Sequence, residues 1–309
     1  MRTLTIGTRG SPLALWQANW VRDLLSEQGI EARVEVIRTS GDKHQKGPLA
    51  AKGGKGLFVK ELEAALLEGA IDLAVHSLKD VPTDLAEPFT LAAFLPRADP
   101  RDCFIAREGI EKPGQLPDGA AVGSCSPRRI SQILNLKPNI EIQDLRGNVE
   151  TRLNKIREGV LDATFLAKAG LDRLGISDDP LIHPLSAETM LPAAGQGIVA
   201  IEISNRSQDL LEKLKILDDA NSRHAAVAER SLVRNLGGTC VSPIGAHATI
   251  DGETLHLTAC VGDPEGKRIL RDTGSGPGTE ANRIGARLAE RLNEQGAQDL
   301  LPQSPLSGN

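Results

Sequence analysis

IDLAVHSLKDVP, residues 71–82, is a short apolar run closed by a charged turn. The near-continuous hydrophobicity of Ile71 to Val75 suits a strand buried on both faces in a parallel sheet. The turn that follows, from His76 to Pro82, sits where α/β folds put their chemistry, at the carboxyl end of such a strand. Toward the N-terminus, TLTIGT (3–8) reads as another strand, and Ser11-Pro12 offers a helix N-cap with proline at the first helical position. That helix carries Leu13, Trp16, Trp20, Leu24 and Leu25 as its apolar stripe and stops at Gly29. Residues 31–39 alternate as a strand, and a further helix spans residues 57–67. Strand, helix, strand, helix, strand is the grammar of an α/β lobe. The intervening SGDKHQKGPLAAKGGKG (40–56), with four Lys and little hydrophobicity, is expected to be a mobile loop.

The grammar then repeats. CFIA (103–106), AAVGS (120–124), IEIQDL (140–145) and ATFLA (163–167) read as strands, with helices opened by Ser126-Pro127 and capped by Asn148. GQGIVAIEIS (195–204) is a strong strand that can return to the first lobe. The remainder predicts a helix near 219–235, strands near 245–250, 254–261 and 267–273, and a helix near 279–295. The PEG turn makes the last two strands a hairpin, so this part is α+β with an antiparallel sheet.

Composition narrows the function. The chain has 309 residues, 40% of them hydrophobic, 25% charged and only 2% aromatic, with no Tyr and a net charge of −5. No run approaches the roughly 20 apolar residues of a membrane span, and the N-terminal sequence lacks a signal-peptide layout. A cytoplasmic protein is expected, in which Cys103, Cys125, Cys240 and Cys260 are thiols. No Cys/His spacing suits a metal. Residues 1–60 hold ten Lys/Arg against five Asp/Glu. With so few aromatics for stacking, that points to a small anionic ligand rather than a nucleic acid.

The chemistry-bearing candidates sit in turns. Arg9, in the turn before the first helix, is as readily a surface charge as a carboxylate grip. Lys79 and Asp80 are either an exposed ion pair or a charge stabiliser with a neighbour that tunes it. Arg128 and Arg129, at the start of a helix whose dipole disfavours cations there, are better read as facing an anion. Arg146 and Arg152 add two more cations. Cys125, near that helix start and the Arg pair, has the setting that lowers a thiol pKa, whereas Cys240 in LGGTCVSPIG reads equally as a small buried hydrophobe. The residues alone leave the choice of thiol open.

Taken together, TRGSPLALWQ, GGKGLFVKELE, DLAVHSLKDVPT, RADPRD, LRGNVETRL, LAKAGLDRLG, LPAAGQG and GGTCVSPIG resemble the porphobilinogen deaminase (hydroxymethylbilane synthase) family. The resemblance implies two periplasmic-binding-protein-like (type II) lobes and a third α+β domain with a three-stranded antiparallel sheet. Domain 1 would take residues 1–95 and 198–215, domain 2 residues 96–197, and domain 3 residues 216–309. It implies a monomeric transferase that joins porphobilinogen units head to tail with loss of ammonia. They would be joined on one covalent dipyrromethane cofactor per chain, without metal, nucleic acid or membrane, and the product released by hydrolysis as the linear tetrapyrrole hydroxymethylbilane.

By the same resemblance, Asp80 and Lys79 are catalytic. Cys240 carries the cofactor as a thioether, which overrules Cys125. Lys79, Ser77, Ser124, Ser126, Arg128, Arg129 and Arg152 contact the cofactor. Arg9, Ser11, Gln17, Lys52, Lys55, Arg146, Gly147, Arg173 and Gln196 contact substrate. Two departures stand out: GSCSPRR (123–129) replaces the family's usual GTSSLRR, and AKGGKG is one residue shorter than its usual AKxGGKG. The rival reading, a non-catalytic two-lobed solute-binding protein, has no use for Asp80 together with Cys240.

Overall fold

The computed structural model describes residues 2–38, 59–239 and 241–302. The Lys-rich loop, including Lys52 and Lys55, and Cys240 lie outside the described residues.

The first lobe is a five-stranded sheet, in spatial order β2 (Ala32–Val36), β1 (Leu4–Thr8), β3 (Leu73–Ser77), β10 (Val199–Ser204) and β4 (Phe89–Phe94). The second repeats that order with β7 (Glu141–Gln143), β6 (Ala121–Gly123), β8 (Ala163–Ala167), β5 (Asp102–Ala106) and β9 (Ile182–Pro184). In each, three strands run parallel and the fourth runs against both its neighbours. That fourth strand is the first one reached after the chain crosses from the other lobe. The chain crosses twice, between β4 and β5 and between β9 and β10, which is the two-lobed periplasmic-binding-protein plan.

The sequence places β3 in a parallel sheet; it is parallel to β1 and antiparallel to β10. Its apolar run reflects cover on both faces, not parallel pairing. The strands β4 and β9 were not apparent in the sequence. The first has one half-buried end, and the second has three residues, too short for any period.

Local signals bear on three of the helix starts. In α1 (Pro12–Glu27), Ser11 is extended and its Oγ accepts from the Ala14 N–H at 3.3 Å. In α4 (Val149–Arg157), Asn148 Oδ1 accepts from Thr151 N–H at 2.8 Å. In α3 (Pro127–Leu136), Ser126 occupies the cap position but makes no side-chain cap; its own N–H donates to Ser124 Oγ at 3.2 Å. Three other helices belong to the lobes: α2 (Lys60–Leu67), α5 (Lys168–Arg173) and α6 (Gln208–Leu214).

The last part folds as an antiparallel sheet of β11 (Ile244–Asp251), β12 (Thr254–Gly262) and β13 (Ile269–Pro277), with α7 (Ala220–Asn235) and α8 (Ala281–Glu294) on one face. This unit touches both lobes. Against the second lobe, β12 approaches α3 so closely that a Cβ on Gly262 would lie 2.0 Å from Ser131 Oγ. At the crossings, the buried carboxylate of Glu229 on α7 pairs with Arg97 at 2.6 Å and accepts from the Gly195 N–H at 2.6 Å.

Candidate functional site

Residues of both lobes and a crossing segment meet between the lobes. From the first lobe, β3 ends at Ser77 and runs into a single 3-10 turn, Leu78–Asp80. Ser77 Oγ is fixed by Gln17, a buried residue of α1 whose Nε2 donates to it at 2.8 Å. Lys79 does not pair with Asp80; its Nζ donates to Gln196 Oε1 at 3.3 Å. Burial pushes the Lys79 ammonium down to about 8. Asp80 opposes this, while the positive charges of Arg129 and Arg128 add to it. Asp80 itself is exposed.

From the second lobe, Arg128 and Arg129 occupy the first turn of α3, both buried. The anion that they face is Asp102, a fully buried residue at the head of β5. Arg128 Nη1 donates to one of its oxygens and Arg129 Nη2 to the other, each at 2.6 Å. Burial alone would raise the Asp102 carboxyl, but the two guanidiniums outweigh it and hold it well below the usual carboxylate range. The forks also reach main-chain oxygens, Arg128 to Leu191 at 2.6 Å and Arg129 to Phe165 at 2.8 Å.

Gln196, in the returning crossing, joins the two walls. Its Nε2 donates to Pro100 O at 2.6 Å and to Asp102 Oδ1 at 3.1 Å, while its Oε1 accepts from Lys79 Nζ at 3.3 Å. A continuous polar chain therefore runs Lys79–Gln196–Asp102–Arg128/Arg129. Arg152 of α4 lies beside it. Its Nε donates to Gly147 O at 3.0 Å, and burial lowers its pKa, against the influence of Cys125, Asp80 and Asp144 and with that of Arg129. Gly147 has φ 113°, a conformation that suits glycine. Arg146 stands at the edge, paired with Asp144 at 3.2 Å.

The other sequence-derived candidates are more scattered. Arg9 and Ser11 are half-buried at the start of α1, and Ser124 holds the turn before α3. Arg173 packs across the lobes: its guanidinium lies 5.6 and 5.9 Å from the Trp16 and Trp20 rings, and Nη2 donates to Gly197 O at 2.8 Å. Cys125 is a half-buried free thiol. Among the described residues no cluster of His, Cys, Asp and Glu could hold a metal, and no helix is long and apolar enough to cross a membrane. Sequence reasoning missed Asp102 as a site residue. Its one signal was a charge placed directly before the apolar CFIA run.

Two family descriptions match the chain: "Porphobilinogen deaminase, dipyromethane cofactor binding domain" over residues 4–212 and "Porphobilinogen deaminase, C-terminal domain" over residues 224–294. The chain belongs to the porphobilinogen deaminase family. A porphobilinogen deaminase of Geobacter metallireducens is 45% identical over 304 residues, 98% of this chain and 95% of that protein. One from Bordetella parapertussis is 48% identical over 310 residues, 98% of each. Among solved structures, an arginine periplasmic binding protein from Legionella pneumophila aligns with 70% of this chain and 92% of its own, at 15% identity and a TM-score of 0.42. So distant a likeness says nothing of function.

The site's charge bears on the dipyrromethane cofactor that the family description names. Lys79, Arg128, Arg129 and Arg152 are four cations against two carboxylates, Asp80 and Asp102. The surplus positive charge, part of it buried, calls for an anionic occupant.

Proposed function

We propose that this chain is a transferase that condenses porphobilinogen units head to tail, with loss of ammonia, and releases the linear tetrapyrrole hydroxymethylbilane. The observation that carries the reading is the polar chain from Lys79 through Gln196 and Asp102 to the Arg pair, with Asp80 exposed at its mouth, in a chain of this family. The dipyrromethane, joined to Cys240, would supply the free pyrrole α-carbon on which the chain starts, and each later unit would join the terminal pyrrole of the unit before it.

The protein's own residues then divide the work. Arg128, Arg129, Arg152 and Lys79, with Ser77, Ser124 and Ser126, hold the cofactor's acetate and propionate groups. Arg9, Ser11, Gln17, Lys52, Lys55, Arg146, Gly147, Arg173 and Gln196 form the wider substrate-binding set. Loss of ammonia from the substrate's aminomethyl arm leaves a cation, and Asp80 is the exposed carboxylate placed to stabilise it and to carry the proton that leaves afterwards. Two unit charges about 4 Å apart attract by about 4 kcal/mol at an effective dielectric near 20. Lys79, drawn toward Gln196, leaves Asp80 unpaired for this role. Residues 1–95 with 198–215, 96–197 and 216–309 act as three domains of a cytoplasmic monomer.

The test combines intact mass with turnover. Expressed protein should carry the added mass of a dipyrrole, mapping to the Cys240 peptide and absent from Cys240→Ser. Asp80→Ala should keep that mass and the fold while losing nearly all turnover of porphobilinogen. An adduct on another cysteine refutes the attachment, and near-normal turnover of Asp80→Ala refutes the role of the carboxylate.

A further inference from the structure

Among the described residues, the Asp80 carboxylate makes no hydrogen bond or ion pair that would fix it, and the side chain is exposed. Its position is inherited from the backbone of residues 78–84. That backbone is gripped from behind by α7. Leu78 and Val81 pack with Ala226 in one apolar cluster. One turn further along, the buried guanidinium of Arg230 donates to three successive carbonyls: Val81 at 3.1 Å, Pro82 at 2.6 Å and Thr83 at 3.2 Å. Another turn on, Arg234 donates to Thr83 O at 2.8 Å and pairs with Asp84 at 2.7 Å.

Arg230 is an unusual residue for such a place. No carboxylate pairs with it among the described residues, and burial pushes its pKa down to about 10. Burying a cation without a counter-ion is expensive in solvation. What it gains is geometric, because a planar fork of five fixed donors can meet several carbonyls of one turn together. The neighbour Glu229 ties the same helix to both crossings, and α7 leads through Gly237-Gly238-Thr239 into Cys240.

We propose that Arg230 is a positioning residue for the reaction: it fixes the 78–84 turn, and through it Asp80, relative to the segment that carries Cys240. The inference rests on the roles given above to Asp80 and Cys240. Of the arginines given above to the cofactor and substrate, all but Arg9 stand on the second lobe, away from this turn, so loss of Arg230 should spare substrate binding and slow the chemical step.

The experiment compares Arg230→Met and Arg230→Lys with Asp80→Asn as reference. Cofactor load is read by intact mass, and kcat and KM are expressed per loaded, folded molecule. Arg230→Met should lose at least tenfold in kcat with KM within twofold of the parent, and Arg230→Lys, which keeps three donors, should recover part of the loss. A smaller loss, a change confined to KM, or a deficit that vanishes when rates are expressed per loaded molecule overturns the proposal. If Arg230→Met does not fold, Arg230→Lys decides alone: a kcat at least threefold down at unchanged KM supports it, and any smaller change overturns it. If Asp80→Asn works normally, the reading of Asp80 fails and this inference fails with it. If Asp80→Asn is dead while Arg230→Met turns over normally, only the positioning role falls.

Discussion

Replacing Asp102 with asparagine changes one charge and almost no volume, and its effect can be worked out from the structure. Each Asp102 oxygen lies 2.6 Å from a guanidinium nitrogen. With charge centres about 4 Å apart, each pair is worth about 4 kcal/mol at an effective dielectric near 20, before the desolvation that offsets much of it. The asparagine oxygen could still accept from one guanidinium, but the amide nitrogen would point its N–H groups at the other. Two cations would remain buried at a helix N-terminus, whose dipole adds an unfavourable amount of about 0.3–1 kcal/mol for each. Removing one partner of such a buried cluster costs about 3–5 kcal/mol. With the two lobes, residues 1–215, melting as one unit at about 2–4 °C per kcal/mol, the melting temperature should fall by roughly 6–20 °C. The loss should be uneven. A cofactor whose carboxylates reach the freed guanidiniums would return part of it, so the gap in melting temperature between loaded and unloaded protein should widen. Thermal unfolding of Asp102→Asn and parent, each produced with and without cofactor, measures both quantities. An unloaded variant melting within 2 °C of its parent, or an unchanged gap, refutes the argument.

Three further outcomes are expected. Lys79 has its pKa lowered to about 8 without a ligand, and a bound carboxylate would raise it again. Binding therefore takes up protons above about pH 8, and affinity falls by up to about tenfold per pH unit as pH rises through that value; calorimetric titration of the unloaded protein from pH 7 to 9 checks the slope, which Lys79→Arg should flatten. Gly195→Ala should destabilise the protein and slow turnover, because the residue has φ 74° and a Cβ there would lie 2.7 Å from Leu78 Cγ, in the turn that carries Asp80; melting temperature and kcat should fall together. Cys125→Ser should keep both the covalent dipyrrole mass and the activity, as mass spectrometry and turnover will show.

Much of the architecture could be read from local signals. The apolar runs gave the two five-stranded sheets most of their strands, and Ser11-Pro12 and Asn148 gave helix starts to within a residue. What escaped depended on contacts distant in sequence. Asp102 looks like one more charge in RADPRD, and only the packing of β5 between β8 and β9 takes it out of water. Arg230 looks like an ordinary helix-surface cation; it is buried because α7 lies across the turn after β3. The Arg pair was legible as facing an anion, but that the anion includes a residue of the protein was not.

Both tryptophans of the chain, Trp16 and Trp20, stand on α1 of the first lobe with their ring centroids 5.6 Å apart, and Arg173 of the second lobe lies over both. With no tyrosine in the sequence, ultraviolet emission from this protein originates at one spot on the seam between the lobes. Parting the lobes would withdraw the guanidinium from both indoles. The chain thus carries its own optical gauge of lobe separation, which stopped-flow mixing with porphobilinogen could follow without any attached dye.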